Sequence, residues 1–102
     1  MYKVNVSERA EDELNKIIFY IAEKLAAPKA ATDFVDEVDA CYEHLEQNPF
    51  MYEQCRNPKL QQEGYRRAVI KNYIMIYKIY EESKQVVVHS FFYGRQDYTN
   101  MI

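Results

Sequence analysis

The sequence predicts an α+β domain of order β-α-α-β-β-β, in which a helical hairpin packs on one face of a mainly antiparallel sheet. In the first half, apolar residues recur at spacings of three and four, as in amphipathic helices. The second half holds three short segments rich in Val, Ile, Tyr and Phe, which are separated by polar turns. The 2 Gly and 3 Pro residues separate these elements, and 102 residues make one domain, residues 1–102.

The chain opens with a predicted strand and a first helix. Residues 2–6 alternate with a period of two, which is typical of a short strand. Ser7 is a suitable N-cap, and acidic residues follow it near the positive end of the helix dipole. The apolar spacing then predicts a helix over about residues 7–25. Its apolar positions are Ala10, Leu14, Ile17, Ile18, Ile21 and Leu25.

A second helix follows after a short joint at residues 26–28, since Pro28 is accepted in the first turn of a helix. The apolar positions of this helix are Ala31, Phe34, Val38, Cys41 and Leu45. They end before Asn48 and Pro49. Two helices with so short a joint predict an antiparallel hairpin, and Cys41 is expected in its core.

The remainder is predicted to be a long loop followed by a three-stranded meander. Residues 49–63 are polar and contain two prolines, which indicates a loop. The predicted strands are residues 65–70, 73–80 and 85–93, with turns at 71–72 and 81–84 and a tail at 94–102.

Alternation within these strands assigns side chains to faces. In the middle strand, the set that contains Lys78 is expected to face solvent, although the pattern leaves open which face is buried. That set is Ile74, Ile76, Lys78 and Tyr80. In the last strand, Val86, Val88, Ser90 and Phe92 are expected to lie opposite Val87, His89, Phe91 and Tyr93.

Composition limits the class of protein. With 48% hydrophobic and 28% charged residues, disorder is not expected. No apolar run approaches the roughly 18 residues of a membrane span, and residues 1–5 do not resemble a signal peptide. We therefore expect a cytoplasmic protein without a membrane partner. Free thiols are expected at both cysteines, and the absence of Cys-x-x-Cys or paired His spacing predicts no metal and no cofactor.

Charge is unevenly distributed along the chain. The net charge of −3 argues against a nucleic-acid binder. However, residues 1–55 have 5 Lys/Arg and 12 Asp/Glu, a charge of −7, whereas residues 56–102 have 8 Lys/Arg and 4 acids, a charge of +4. The asymmetry indicates either an interaction face or an acidic helical pair beside a mildly basic sheet.

Basic and aromatic residues interleave in the second half. They are Arg66, Arg67, Lys71, Lys78, Tyr93, Arg95 and Tyr98. Arg and Lys hold phosphates and aromatic rings stack on unpaired bases, so the mixture suits single-stranded RNA. An ordinary sheet surface with protective edge lysines is the alternative. His89 is a candidate general acid or base, although a lone strand histidine is more often packed, and His44 is expected on the surface.

Five groups of segments, in one order along the chain, carry a family likeness. They are residues 7–14 with 18–22, 30–35 with 45–49, 64–67, 73–77, and 86–98. Together they resemble the RelE/ParE superfamily, the toxin halves of bacterial type II toxin–antitoxin pairs, over nearly the whole chain. The resemblance implies growth arrest of a bacterial host and a cognate antitoxin that wraps and neutralises the toxin. Its segment is expected to dock on the sheet by strand addition or as a helix in a groove.

The family resemblance implies two alternative cellular targets. ParE-like members inhibit DNA gyrase without a catalytic group, and RelE-like members enter the ribosomal A site and cut mRNA. In the nuclease interpretation, Arg66 and Arg95 stabilise developing phosphate charge, and Tyr93 or Tyr98 moves a proton or stacks on the base. His89 is a weaker candidate for the same step. RNA or target contacts then come from Arg67, Lys71, Lys78 and Tyr98.

Departures from the RelE pattern favour gyrase inhibition. The closing signature often reads His-Gly-Arg-Arg-Asp, and here Tyr93 and Gln96 replace the His and the second Arg. The chain is acidic overall, and its long helical hairpin is similar to the ParE branch. A ribosome-dependent mRNA interferase, and an inactive relative that acts only as a binding module, are the alternatives.

Overall fold

The computed structural model describes residues 1–95 and confirms the predicted element order, with one short helix added. The strands are β1 Lys3–Val6, β2 Tyr65–Ile70, β3 Tyr73–Tyr80 and β4 Gln85–Tyr93. The helices are α1 Glu8–Phe19, α2 Pro28–Gln47 and α3 Pro58–Gln62. A π-helical turn, Tyr20–Lys24, continues α1, and a 3₁₀ turn, Pro49–Met51, follows α2. No helix within residues 1–95 is long and apolar enough to cross a membrane.

The sheet has the strand order β1-β4-β3-β2. The pairs β2–β3 and β3–β4 are antiparallel, as predicted, and β1 adds a parallel pairing with β4. This pairing runs only from Lys3↔Gln85 to Val6↔Val88. Beyond Val88, therefore, the element beside β4 is α1 rather than a strand.

The helical hairpin covers one face of the sheet. Ser7 caps α1 by accepting a hydrogen bond from the Ala10 amide at 3.0 Å. All five predicted apolar positions of α2 are buried, Cys41 among them, and they pack on residues of β3 and β4. The strand residues in this core are Met75, Tyr77, Val86, Val88 and Phe91. The burial of the α2 stripe and of these strand residues confirms the predicted helix-on-sheet packing.

The second face of the sheet is also covered, which corrects two expectations. The segment predicted as a loop over residues 49–63 contains α3, whose N-cap Asn57 accepts hydrogen bonds from the Lys59 and Leu60 amides. Leu60 packs on Ile74 and Ile76, which were expected to face solvent and are buried. A strand that is apolar on both sides must be covered on both sides. In the same set, Lys78 is half-buried and Tyr80 is exposed.

A β-bulge in β4 changes the predicted face assignment. Tyr77 pairs with Val88 and Ile76 with Ser90, so His89 is an extra residue without a partner in β3. After the bulge, Phe91 joins the core under the helices and Phe92 joins the second cluster. The expected placement of Phe91 and Phe92 was therefore wrong, because one inserted residue exchanges the faces of all later side chains.

Candidate functional site

A groove of about 950 Å³ separates the helical hairpin from the end of β4. It exists because β1 ends at Val6, which leaves α1 and the π turn to flank the second half of β4. The hairpin and the sheet both contribute apolar side chains to it. They include Ile17, Tyr20, Ile21, Leu25, Phe34 and Phe91.

Several of these apolar side chains are exposed at the rim of the groove. Tyr20 is 48% exposed, Leu25 55% and Tyr93 38%. Contiguous exposed apolar residues of this kind mark interaction sites in soluble proteins. The exposed apolar rim therefore gives the groove the character of an interaction surface.

The floor of the groove is held by a polar contact between α1 and the bulged strand. The Glu13 carboxylate accepts a hydrogen bond from the Phe91 amide at 3.0 Å. The Ser7 hydroxyl donates to the His89 carbonyl, also at 3.0 Å. These side chains replace the strand neighbour that β4 lacks beyond Val88, so α1 is fixed against the sheet at this point.

A smaller cavity of about 250 Å³ adjoins the groove. Its lining brings together four of the residues singled out in the sequence, Arg67, Lys71, Tyr93 and Arg95. They meet because antiparallel pairing places Tyr73 opposite Tyr93, which brings the β2–β3 turn beside the end of β4. The Gly94 amide donates to the Asn72 carbonyl at 2.8 Å and fixes this contact. We call this cavity the basic pocket.

Two cations of the basic pocket are paired with acids. Arg67 is only 9% exposed, and its Nη1 bonds the Glu53 carboxylate, which holds the pKa of Glu53 below its usual range. Arg67 Nε has no hydrogen-bond partner within residues 1–95. Lys71 Nζ lies 3.1 Å from a Glu37 carboxylate oxygen. Arg95 is exposed at the mouth of the pocket.

Arg66 lies outside the basic pocket. Its Nη1 donates to the Tyr52 carbonyl at 2.7 Å and to the Phe50 carbonyl at 3.4 Å, and its guanidinium lies 5.3 Å from the centroid of the Phe50 ring. These contacts fasten the segment after α2 to β2. The structure therefore brings Tyr93 and Arg95 together but does not place Arg66 with them.

Lys78 and His89 form a separate cluster around Tyr65. Lys78 Nζ lies 5.4 Å from the Tyr65 ring centroid, and the His89 ring meets Tyr65 edge-on at 5.6 Å. His89 Nδ1 is buried without a hydrogen-bond partner in the described part of the chain. Burial, together with the nearby positive charge of Arg9, lowers the pKa of His89. Neither Lys78 nor His89 lines the basic pocket, and Tyr98 lies outside the described residues.

Sequence reasoning missed the hairpin side of the groove. Tyr20 lies three residues after Ile17 but was not counted among the apolar positions of the first helix, and its exposed neighbour Phe19 lies outside their spacing. Aromatic residues off an apolar stripe are exposed if the helix is regular, so the sequence contained a signal for a second surface. Glu13 gave no comparable signal, because its role depends on the bulge in β4.

The chain is similar to one protein family and to two solved structures. The model of a family described as "ParE toxin of type II toxin-antitoxin system, parDE" matches residues 4–98. Two solved structures share the fold. One, from the chromosomal ParDE toxin–antitoxin system of P. aeruginosa, has a TM-score of 0.70 at 14% identity and covers 91% of this chain and 96% of its own.

The second is the toxin–antitoxin complex RelBE2 from Mycobacterium tuberculosis, with a TM-score of 0.62 at 19% identity and 90% coverage of both chains. No curated protein sequence matches the chain significantly. At these identities the two structures establish the fold alone, and they confirm the predicted α+β architecture.

Proposed function

Because the chain belongs to the ParE toxin family of type II toxin–antitoxin systems, we propose that it arrests bacterial growth by binding and inhibiting DNA gyrase, without a catalytic step. Family membership confirms the resemblance drawn from the sequence and makes the chain a toxin. The two solved relatives are parts of toxin–antitoxin systems, which supports a cognate antitoxin as the partner of this chain.

The observation that carries the gyrase assignment is the position of Arg66. An mRNA interferase needs cationic donors aimed at the phosphate where charge develops during cleavage. Arg66 instead donates to two backbone carbonyls, of Tyr52 and Phe50, and covers the Phe50 ring. An arginine that holds a loop in this way is not available to a scissile phosphate without breaking those bonds.

The distribution of charge supports the same assignment. Affinity for RNA grows with the number of phosphates that a protein neutralises. Here Arg67 and Lys71 already face Glu53 and Glu37, and the chain as a whole carries a charge of −3. A target reached through protein contacts fits this surface better than a ribosome-bound message does.

The basic pocket supports one alternative, a ribosome-dependent mRNA interferase. Tyr93 and Arg95 line the same cavity, together with Arg67 and Lys71. In that alternative Arg95 stabilises the phosphate charge, Tyr93 transfers the proton during attack of the ribose 2′-OH, and the other two cations hold RNA phosphates.

The test is brief induction of the chain in a bacterial host, followed by primer extension on a translated reporter mRNA and by gel analysis of plasmid topology. Growth arrest with intact mRNA and loss of plasmid supercoiling is the expected result. New cuts inside codons, abolished by Arg95→Gln but not by the matched exposed change Arg56→Gln, would instead establish the interferase. Normal growth with intact mRNA would indicate an inactive relative that acts only as a binding module.

A further inference from the structure

The groove and the basic pocket are adjacent cavities that share part of their lining but differ in chemistry. Lys71, Asn72 and Tyr93 line both cavities. The groove is large and mainly lined by aliphatic and aromatic side chains, whereas the pocket at its end is small and lined by three cations. A ligand that fills both therefore has an apolar body and one anionic group.

The pocket contains a hydrogen-bond donor that has no acceptor among the described residues, so it can bind an anion. An ammonium carries three donors and a guanidinium five, and within residues 1–95 the one acid paired with Lys71 is Glu37. Arg67 is nine-tenths buried, and its Nε lacks a hydrogen-bond partner among the same residues. A buried donor without a partner raises the free energy of the unoccupied site and favours a bound acceptor.

The size of the pocket and the nature of the groove select a protein ligand. A volume of about 250 Å³ lies below the roughly 300–1,000 Å³ of sites for whole small molecules and suits a single side-chain group. A phosphate group of a polynucleotide could fill the pocket, but its sugar–phosphate backbone offers no apolar partner to Ile17, Leu25 and Phe91 in the adjacent groove. A peptide segment can fill the groove with apolar side chains and place one acidic side chain in the basic pocket.

We propose that the basic pocket binds a carboxylate of the cognate antitoxin, on a segment whose apolar side chains fill the groove. This inference rests on the assignment of the chain as a toxin with an antitoxin partner. The acidic group pairs with Lys71 and Arg95 and accepts from Arg67, so it fixes the register of the segment along the groove. An amide in its place keeps hydrogen-bonding capacity but loses the charge–charge attraction to the three cations of the pocket, which Glu53 and Glu37 neutralise only in part. The affinity is therefore expected to fall by about 10- to 100-fold.

The experiment is an NMR titration of the ¹⁵N-labelled full chain with acetyl-Leu-Val-Leu-Ala-Glu-amide, with its Gln counterpart, and with inorganic phosphate. The Glu peptide is expected to shift the amides of Val69, Asn72 and Gly94 and to bind at least about tenfold more tightly than the Gln peptide. Lys71→Met and Arg95→Gln are expected to abolish the difference. The matched change Lys3→Met, on β1 and outside both cavities, is expected to preserve it.

Three results would overturn the proposal. They are equal affinity for the Glu and Gln peptides, no binding of either peptide, or perturbation of the same amides by phosphate with the peptides silent, which would indicate a nucleic-acid site. Arg67 is not replaced in this test because it supports the fold through Glu53. The result is independent of gyrase, since a chain that does not inhibit gyrase can still discriminate between the two peptides.

Discussion

Replacement of Arg66 by Met should destabilise the chain rather than remove a chemical step. The change deletes a 2.7 Å hydrogen bond to the Tyr52 carbonyl, a weaker 3.4 Å bond to the Phe50 carbonyl and the contact with the Phe50 ring. Hydrogen bonds from charged donors contribute about 1.5–3 kcal/mol each, and an exposed cation–π contact about 0.5–1 kcal/mol. Because Arg66 is only half-buried and one bond is long, we expect a total loss of about 2 kcal/mol.

The assay is urea unfolding followed by circular dichroism, with thermal melting as a second readout. A loss of about 2 kcal/mol lowers the melting temperature of a domain of this size by roughly 8–16 °C. The matched control Arg56→Met removes an exposed ion pair with Glu53 and should leave the urea midpoint nearly unchanged, because exposed ion pairs contribute little to stability. At a temperature where both variants are folded, each should inhibit gyrase as the parent does. Unchanged stability of Arg66→Met together with complete loss of toxicity would refute the structural role of Arg66.

Three further predictions concern the fold around the site. Since burial lowers the pKa of His89 from its ordinary 6.5, the unfolded chain binds the extra proton, so the free energy of unfolding should fall as pH drops through that range; His89→Phe should flatten the urea-unfolding profile between pH 7.5 and 5.5, and a profile parallel to that of the parent chain would contradict the assignment. Tyr77→Phe removes the hydroxyl that donates to the buried Pro49 carbonyl at 2.7 Å, so the free energy of unfolding in urea should fall by about 1–3 kcal/mol. An unchanged urea midpoint would show that this hydrogen bond does not stabilise the fold. Glu13→Ala removes the acceptor of the Phe91 amide and should speed hydrogen exchange at that amide by about tenfold or more; unaltered exchange there would show that the contact does not hold the bulged strand.

Most of the fold follows from sequence patterns that extend over several turns or strands. The α2 stripe from Ala31 to Leu45 repeats often enough to specify a helix and its buried face, and Ser7 marks the start of α1 as predicted. The five-residue α3 is too short to show a helical period. Asn57 followed by Pro58 was its one local signal, an N-cap before a proline at the first helical position.

The bulge at His89 escaped prediction for a different reason. In β4 apolar residues occupy both faces, so inserting one residue leaves the hydrophobic pattern without a visible break. Face assignments in such a strand are set by the partner strand and by the helix packed beside it, here through Ser7 and Glu13. That information lies about 80 residues away in sequence.

The candidate site was predicted in composition but not in arrangement. Arg67, Lys71, Tyr93 and Arg95 were all singled out as basic or aromatic residues, and the turn between β2 and β3 brings them together. Arg66 belongs to the same composition, but strand alternation places it on the helix side, where it meets Tyr52. Adjacent residues in a strand point to opposite faces, so the pattern grouped two arginines that the sheet separates.

A supercoiling assay with purified DNA gyrase, relaxed plasmid and the purified chain tests whether this toxin inhibits gyrase. We expect the chain to block supercoiling, Arg66→Met to block it equally at a temperature where that variant is folded, and added cognate antitoxin to restore gyrase activity. Full supercoiling at a large molar excess of the chain, with cleavage of translated mRNA in a parallel reaction containing ribosomes, would contradict gyrase inhibition and favour the mRNA interferase.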